Sequence, residues 1–398
     1  MDGVKDSTWE SLPNAQDNDA PEVNTTSRAE TAAPETNDIE EGTHVYKPGG
    51  FHPVFIGDTF KERYRVLNKI GYGVYSTVWL VKDLAAEPSS PEEYRALKVL
   101  SADSYDHKSS LFEREILTHL REGDRNQLGY SYICHLVDDF EYQGPNGTHL
   151  LLALDYAHDF KVIHTDIKPD NIFVKFRNYD LIESGYLANV PIPEQDRAEK
   201  DYSVIPSTPL RRYYFDEADS TRVAEFDIAL GDWGVSSWTD KHLTEKIQPV
   251  ALRSPEVLIE APWNETTDWW NLGAVILEIF RAVRMFSGQA PPDSNYELKQ
   301  HVAEIVDLFG PFPKELLAKG NKEIVQDIFD DDGRVKAASP LNRPGLSSEA
   351  FLPGLDEEIR EEFIKFLHAL MKINPSERLS AEDLLREPWL SALPPLNE

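Results

Sequence analysis

The stretch His164–Asn171, HTDIKPDN, constrains what this 398-residue chain can fold into more than any other feature. It brings a carboxylate, Asp166, an ammonium group, Lys168, and an amide, Asn171, into one short loop. Transfer of a phosphoryl group to a hydroxyl needs a carboxylate that accepts the proton, a cation beside the moving group and an oxygen ligand for Mg²⁺. The loop therefore predicts Asp166, Lys168 and Asn171 as catalytic residues, with Asn171 also a metal ligand.

Residues on either side of this loop are suited to hold a nucleotide. Two closely spaced glycines in a predicted hairpin, GYGVYSTV, would let backbone N–H groups approach phosphates, although such glycines are more often a simple tight turn. On the next helix, Glu115 is predicted to orient the strand residue Lys98, and Asp232 in IALGDWGVSS is predicted to be the second Mg²⁺ ligand. The predicted nucleotide-binding residues are Ile70, Gly71, Gly73, Ser76, Val78, Ala96, Lys98, Glu115 and Asp232.

The order of the periodic segments predicts an α+β, bilobal fold, with a β-rich first lobe and a helical second lobe. Alternating apolar residues dominate between the hairpin and THLLLAL, whereas segments after residue 220, such as TTDWWNLGAVILEIFRA, read as helices. The predicted parts are a disordered acidic tail (1–48), a first lobe (49–153), a second lobe (154–392) with an insertion at about 177–222, and a C-terminal tail (393–398).

Over residues 52–392 the chain resembles a eukaryotic Ser/Thr protein kinase, and most of all the SR-protein-specific kinases of fungal type. The resemblance rests on FHPVFIGDTFKERYRVLNKIGYGVYSTVWLVKD, on VIHTDIKPDNI with its Thr where most kinases have Arg, and on KHLTEKIQ followed by RSPEVL. It implies the protein-kinase fold, ATP and Mg²⁺ as cofactors, Asp166 as the catalytic base, and basic Arg/Ser-rich proteins as substrates.

The resemblance also assigns structural roles to residues outside the catalytic loop. Glu256 is expected to form a buried ion pair with Arg378, and Asp268 is expected to brace the catalytic loop from the start of a helix. Thr165 implies that activity does not depend on an arginine that reads a phosphate in the activation segment.

The chain departs from the family pattern in its spacing. Lys98 and Asp166 are 68 positions apart, whereas the pattern has roughly a hundred, so about thirty-five residues are missing. The gap removes the hinge that links the lobes and most of the long helix before the catalytic loop, and it is expected to expose an apolar flank of the helix near Leu272 to Phe280. A truncated splice form or an erroneous gene model is one explanation. The insertion after the catalytic loop, in contrast, matches a spacer that SR-protein kinases carry in this region.

Composition restricts the partners and the compartment. The formal net charge of −30 disfavours nucleic acid and favours a basic protein partner, although a solvated surface and an acidic tail also explain it. A single cysteine, Cys134, excludes an internal disulfide and indicates a reducing compartment. We find no membrane span in the sequence, and we expect a monomer in the cytoplasm, the nucleus or both.

Two readings of function remain open at this point. The first is a Ser/Thr protein kinase that uses ATP and Mg²⁺, which the intact chemistry-bearing residues favour. The second is a catalytically impaired, pseudokinase-like interaction module, which the missing hinge favours. Small-molecule phosphotransferases share the His-x-Asp-x-x-x-x-Asn loop, but they lack the Ser-Pro-Glu string and this activation segment.

Overall fold

The fold begins with a six-stranded antiparallel sheet in the first part of the chain. The computed structural model describes residues 40–90, 92–105, 112–123, 132–156, 162–175, 180–195, 197, 202–210, 227–290, 294–336 and 344–392, all within one unit, Asn37–Glu398. The strands are β1 Thr59–Phe60, β2 Tyr64–Tyr72, β3 Ser76–Asp83, β4 Tyr94–Leu100, β5 Cys134–Gly144 and β6 Gly147–Tyr156. Their order in the sheet is β1-β2-β3-β4-β6-β5.

Alternation along β3 and β4 gives the sheet two distinct faces. Trp79 and Leu97 are register partners and lie in the core on the outer face of the sheet. Val78 and Lys98 are partners on the opposite face, which we call the cleft face. Two helices follow β4, namely α1 Ala102–Tyr105 and α2 Glu113–Arg121, and α2 packs on this lobe through Ile116, Leu117 and Leu120.

Two short strand pairs flank the loops that lie between the sheet and the helical lobe. They are β7 Val162–Ile163 with β10 Ser237–Trp238, and β8 Ile172–Lys175 with β9 Asp227–Leu230. β6 ends at Tyr156 and β7 begins at Val162, so five residues, 157–161, join the sheet to the catalytic loop, and they lie outside the described residues. Five residues cannot supply the hinge and the long helix, as the sequence spacing predicts.

The second lobe is helical, and its core forms around the central helix α4. Its helices are α3 Pro255–Leu258, α4 Thr267–Arg281, α5 Leu298–Phe309, α6 Lys314–Leu317, α7 Lys322–Ile328, α8 Glu357–Leu370, α9 Ala381–Leu384 and α10 Pro388–Ala392. A two-stranded ribbon, β11 Gln289–Ala290 with β12 Asn295–Tyr296, precedes α5. The α+β, bilobal architecture predicted from the sequence is confirmed. Among the helices that the structure describes, none has the length and apolar character needed to cross a membrane.

The expected exposure of α4 between Leu272 and Phe280 is seen only at the end of the helix, because Leu272 and Ile276 pack against the core. Trp270, Ala274 and Leu277 are fully buried against the rest of the helical lobe. Ile279, on another side of the helix, is 64% exposed. Val283, just past the end of the helix, is 51% exposed. Solvent therefore reaches apolar side chains at and just beyond the C-terminal end of α4.

The structure differs from two of the predicted boundaries between the parts of the chain. Residues 40–48 were expected in the disordered tail, but Glu41 is buried and pairs with Lys69 of β2, so this segment belongs to the first lobe. The predicted lobe boundary at 153 falls inside β6, which continues to Tyr156. The described part of the insertion includes a π-helix, Leu181–Leu187, which packs on the first lobe through Tyr186. Residues 1–39 and 393–398 lie outside the described residues.

Glu256 and Arg378 form the buried ion pair that the sequence predicts. Two parallel bonds of 2.7 Å join the guanidinium group to the carboxylate, and both side chains are fully buried. Arg378 also donates to the carbonyl oxygens of Thr266 and Lys372. The pair thus ties α3 to the start of α4 and to the end of α8.

We expect Arg378→Met to lower the free energy of unfolding by about 3–5 kcal/mol, because the buried carboxylate of Glu256 would lose its partner. The matched control is Arg386→Met, which breaks an ion pair with Glu382 that is exposed on both sides and should cost less than about 1 kcal/mol. Urea unfolding of both variants measures the difference. Equal losses would contradict the anchoring role of the buried pair.

Candidate active site

The ammonium group of Lys98, a residue of β4, connects this strand to α2 and to the loop that follows β9. Its Nζ lies 2.7 Å from Oε1 of Glu113 on α2 and 2.8 Å from Oδ1 of Asp232, which follows β9. Burial alone would lower the pKa of Lys98, but the negative charges of Glu113 and Asp232 outweigh it and hold the pKa above its usual value. Lys98 is therefore a fixed cation at the inner end of the cleft.

The two carboxyl groups beside Lys98 differ in environment. Burial raises the pKa of Glu113, and the charge of Lys98 offsets only part of this effect. Lys98 lowers the pKa of Asp232, whose side chain is 47% exposed. Glu113 is thus a structural partner of the lysine, whereas Asp232 presents an ionised carboxylate to the cleft.

The expectation that Glu115 pairs with Lys98 is wrong. Glu115 lies on the exposed side of α2, beside Thr118 and Glu122 on a surface depression, whereas Glu113 faces inward and is buried. A signal for this assignment was present in the sequence. Glu113 precedes the buried Ile116 and Leu117 by three and four positions, which places all three on one helical face.

The catalytic loop brings its predicted residues together. The Nζ atom of Lys168 lies 3.0 Å from Oδ2 of Asp166, and Nδ2 of Asn171 donates to Oδ2 and to the backbone oxygen of Asp166 at 2.8 Å each. Burial raises the pKa of Asp166, and the charge of Lys168 opposes this shift. A half-buried carboxyl group with a raised pKa and a neighbouring ammonium group can accept a proton from a substrate hydroxyl.

Asp268, at the start of α4, holds the backbone of this loop. Its Oδ2 accepts from the backbone N–H of His164 at 2.6 Å, and its Oδ1 accepts from that of Thr165 at 2.9 Å. Burial raises the pKa of Asp268 to about 7, although these two bonds favour the ionised form. Thr165 has φ +63°, a conformation that L side chains adopt rarely, and the bonds to Asp268 fix it. The bracing role predicted for Asp268 is confirmed.

His164 connects the loop to the residues before Asp232. Its Nε2 lies 3.0 Å from the backbone oxygen of Gly231, and its Nδ1 accepts from the backbone N–H of Asp166. Burial lowers the pKa of His164 to about 4, so the ring is neutral near pH 7. The ring of Trp233 lies 4.6 Å from the His164 ring, centroid to centroid, and packs into the core under α2. These contacts hold Asp232 in its left-handed conformation, φ +62°.

The glycine-rich hairpin joins β2 to β3 and has an exposed tip. The N–H of Gly73 donates to the backbone oxygen of Ser76, and Val74 is 77% exposed. A Cβ atom added at Gly71 would meet no atom within 4 Å, and one at Gly73 would meet only the Ser76 hydroxyl at 3.8 Å. The fold itself therefore does not require glycine at these positions. The absence of side chains instead leaves the backbone open to a ligand on the cleft side.

The remaining predicted nucleotide residues lie on the cleft face. Val78 and Ala96 are half-buried, and Ala96 pairs with Leu80 and with Leu154 across the neighbouring strands. The ladder between β4 and β6 ends at the Ala96–Leu154 pair, whereas the ladder between β5 and β6 continues to Tyr156. Ile70 packs partly against the insertion.

The donor set of Asn171 and Asp232 fits Mg²⁺. Because Nδ2 of Asn171 is turned to Asp166, the amide oxygen points away from that carboxylate, and Asp232 supplies an ionised, half-exposed oxygen. Mg²⁺ in proteins takes one or two such oxygens and completes its octahedral shell with water and phosphate oxygens. The residues therefore suit a metal that arrives together with a polyphosphate.

Comparisons with known proteins agree with this geometry. The protein kinase domain model matches residues 217–390. A serine/threonine protein kinase of Aspergillus fumigatus is 30% identical over 391 residues, covering 89% of this chain and 91% of the relative. The chain belongs to the serine/threonine protein kinases. The serine/threonine-protein kinase SRPK of Physarum polycephalum is 27% identical, covering 89% of this chain and 92% of the relative. The protein kinase dsk1 of Schizosaccharomyces pombe is 26% identical, covering 88% and 85%. The kinase is thus SR-protein kinase-like.

The alignment with the Aspergillus kinase agrees with the missing segment. It runs over 391 positions but covers 89% of the 398 residues, so about 37 positions hold residues of the relative alone. This number is close to the thirty-five or so residues that the spacing between Lys98 and Asp166 lacks.

We expect Glu113→Gln to lower kcat/KM for ATP by at least about tenfold, because the ammonium group of Lys98 would lose one of its two ionised partners. Glu115→Gln, which changes the same residue type on the same helix, should leave kcat/KM within about twofold. Steady-state kinetics with varied ATP measure both variants. A larger loss in Glu115→Gln would contradict the corrected helix register.

Proposed function

We propose that this kinase transfers the γ-phosphoryl group of ATP to serine side chains of basic, Arg/Ser-rich proteins. In this step the serine oxygen bonds to the γ-phosphorus, the bond from that phosphorus to the ADP oxygen breaks, and the hydroxyl proton passes to Asp166. The observation that carries the proposal is the pairing of Lys98 with both Glu113 and Asp232, because a protein kinase needs this ion pair and this aspartate in place together.

Each side chain of the site has a separate task in this mechanism. Lys168, 3.0 Å from Asp166, would stabilise charge on the moving phosphoryl group. Lys98 would bind the phosphates nearer the nucleoside. Asn171 and Asp232 would hold Mg²⁺, which neutralises phosphate charge when bound. Thr165 supports the proposal that activity does not depend on a phosphate-reading arginine, because its hydroxyl donates to the backbone oxygen of Val235 within the loop after Asp232.

Charge supports the substrate class. The chain carries a formal net charge of −30, and the turn after α7 presents a group of exposed carboxylates. One of these, Asp330, accepts from the backbone N–H groups of Asp332 and Arg334 and so shapes the turn. This turn directs Asp331 and Asp332 into solvent, where arginine side chains of a substrate could reach them. The name of the Physarum relative, SRPK, agrees with this substrate class.

We expect Asp166→Asn to reduce kcat by at least about a hundredfold while the Kd for ATP stays within a few-fold, because this carboxylate contacts the nucleophile. Asp232→Asn should instead weaken binding of Mg-ATP, because it removes a metal ligand and a partner of Lys98. Isothermal titration and single-turnover kinetics separate the two effects. Equal loss of nucleotide affinity in both variants would contradict the assigned roles.

Peptides of alternating Arg and Ser should be phosphorylated in preference to neutral or acidic Ser peptides, and the preference should shrink as salt rises. The double variant Asp331→Asn/Asp332→Asn should raise KM for the Arg/Ser peptide about threefold or more at low salt. Glu382→Gln, an exposed acid in α9, is the control and should change KM little. A peptide array without arginine preference at low ionic strength would rule out this substrate class.

A second candidate function is a catalytically impaired interaction module. The five-residue connection between β6 and β7 and the exposed flank of α4 favour it. Thermal melting with Mg-ATP separates the candidates, because a ligand at 100 times its Kd stabilises the folded state by about 2.7 kcal/mol. A clear rise in Tm supports the kinase. An unchanged Tm at millimolar Mg-ATP, with the chain folded, supports the module.

A further inference from the structure

The insertion wraps around the free edge of β2. β1 pairs with Tyr64 and Arg65, so along the described residues the second half of β2 is a sheet edge on that side. The N–H of Thr208 donates to the backbone oxygen of Lys69 at 2.9 Å, and Nζ of Lys69 donates to the backbone oxygen of Ile205 at 3.0 Å. The insertion is therefore bonded to the strand that leads into the glycine-rich turn.

From this edge the insertion reaches both faces of the sheet. Ile205 lies in the core on the outer face, together with Trp79 and Leu97. On the cleft face, three side chains of the insertion pack against Leu80 and Tyr94; these are Ile182, 3% exposed, Tyr186, 0% exposed, and Val190, 7% exposed. Leu80 and Tyr94 belong to the cleft face because they alternate with core residues in step with Val78 and Lys98.

Distances along β4 place this contact next to the base of a bound nucleotide. A strand rises about 3.3 Å per residue, so Ala96 lies about 7 Å from Lys98, and Tyr94 lies about 13 Å from it. A nucleotide whose phosphates lie at Lys98 and whose base extends along β4 past Ala96 would bring that base close to Tyr94, where the insertion side chains pack. The insertion then begins where the base ends. Ile70, which precedes the glycine turn, packs against the cluster that these insertion side chains form with Leu80 and Tyr94.

Tyr186 fixes the position of this part of the insertion. Its hydroxyl donates to the backbone oxygen of Thr208 at 2.7 Å and accepts from Nδ2 of Asn68 at 3.1 Å. Asn68 lies on β2 and Thr208 is the residue bonded to the β2 edge, so one hydroxyl links both sides of the insertion to the strand. The ring is fully buried, so it packs this part of the insertion against the sheet.

We propose that Ile182, Tyr186 and Val190, which are themselves buried, back the outer wall of the subsite for the purine base. The packed surface of these side chains is hydrocarbon in character, and they act by holding Ile70 and Leu80 in place at that wall. This inference rests on the proposed use of ATP and names residues of the insertion as determinants of nucleotide affinity.

The test compares Mg-ATP with Mg-tripolyphosphate, which has the phosphates but no base, by isothermal titration on the full chain. Ile182→Ala shortens the wall and should weaken ATP binding about tenfold while leaving tripolyphosphate within about twofold. Tyr186→Phe keeps the ring and removes the two hydroxyl bonds, and it should weaken ATP binding about threefold with the same selectivity. Ile192→Ala, an insertion residue that is 57% exposed, is the control and should change neither ligand.

The other outcomes overturn the inference. Tighter ATP binding by Ile182→Ala would mean that the insertion fills the base subsite instead of bounding it. Unchanged ATP binding would mean that the insertion does not support the base subsite. Equal weakening of both ligands would mean that the variant only loosens the lobe. If the unmodified chain binds tripolyphosphate but not ATP, the wall is also overturned, whereas a chain that binds neither ligand contradicts the proposed function itself.

Discussion

A buried lysine that must stay charged governs the geometry of this molecule. Taking the ammonium group of Lys98 out of water is costly, and only opposite charges at short range offset that cost. Glu113 and Asp232 supply them from two separate elements, so α2 must pack against β4 and the loop after β9 must enter the cleft. The same arrangement places Asp232 near the catalytic loop, which His164 joins through its bond to Gly231. The ion pairs of one side chain thus align both halves of the site.

The insertion after the catalytic loop completes the first lobe at the edge of β2. In this kinase the insertion returns to the sheet and covers the edge of β2. Its side chains pack on both faces of the sheet. A second buried lysine, Lys69, anchors the insertion to β2. It forms ion pairs with Glu40 and Glu41, and it donates a hydrogen bond to the backbone oxygen of Ile205 in the insertion. Edge strands expose unpaired backbone groups that promote aggregation, and covering this edge removes part of that risk. The insertion is therefore a structural part of the lobe.

The sequence predicts residues whose role depends on local spacing. Asp166, Lys168 and Asn171 lie together because one loop carries them, and the pairing of Glu256 with Arg378 follows a family pattern. The sequence interpretation assigns Glu115 as the partner of Lys98 instead of Glu113, although Glu113 shares the buried face of α2 with Ile116 and Leu117. The packing of the insertion could not have been predicted in this way. Tyr186 and Asn68 are 118 positions apart, and no periodicity in either segment indicates the other. Likewise, the polar composition of residues 40–48 suggests a disordered tail. The burial of Glu41 depends on its ion pair with Lys69, and nothing in the local sequence indicates that pair.

The exposed flank of α4 costs stability without disturbing the catalytic loop. Full burial of an apolar side chain contributes about 1.5–3 kcal/mol, so the partly exposed Ile279 and Val283 together forgo about 2–3 kcal/mol of the usual total of about 5–15. The rest of the helix keeps its neighbours, and Gly273 lies so close to Met371 that an added Cβ would come within 2.4 Å of its side chain. Asp268 braces the catalytic loop from the first turn of α4. The exposed residues begin eleven positions later, about 16 Å along the axis. A helix anchored at one end can therefore lose a neighbour at the other and still hold the catalytic backbone in place.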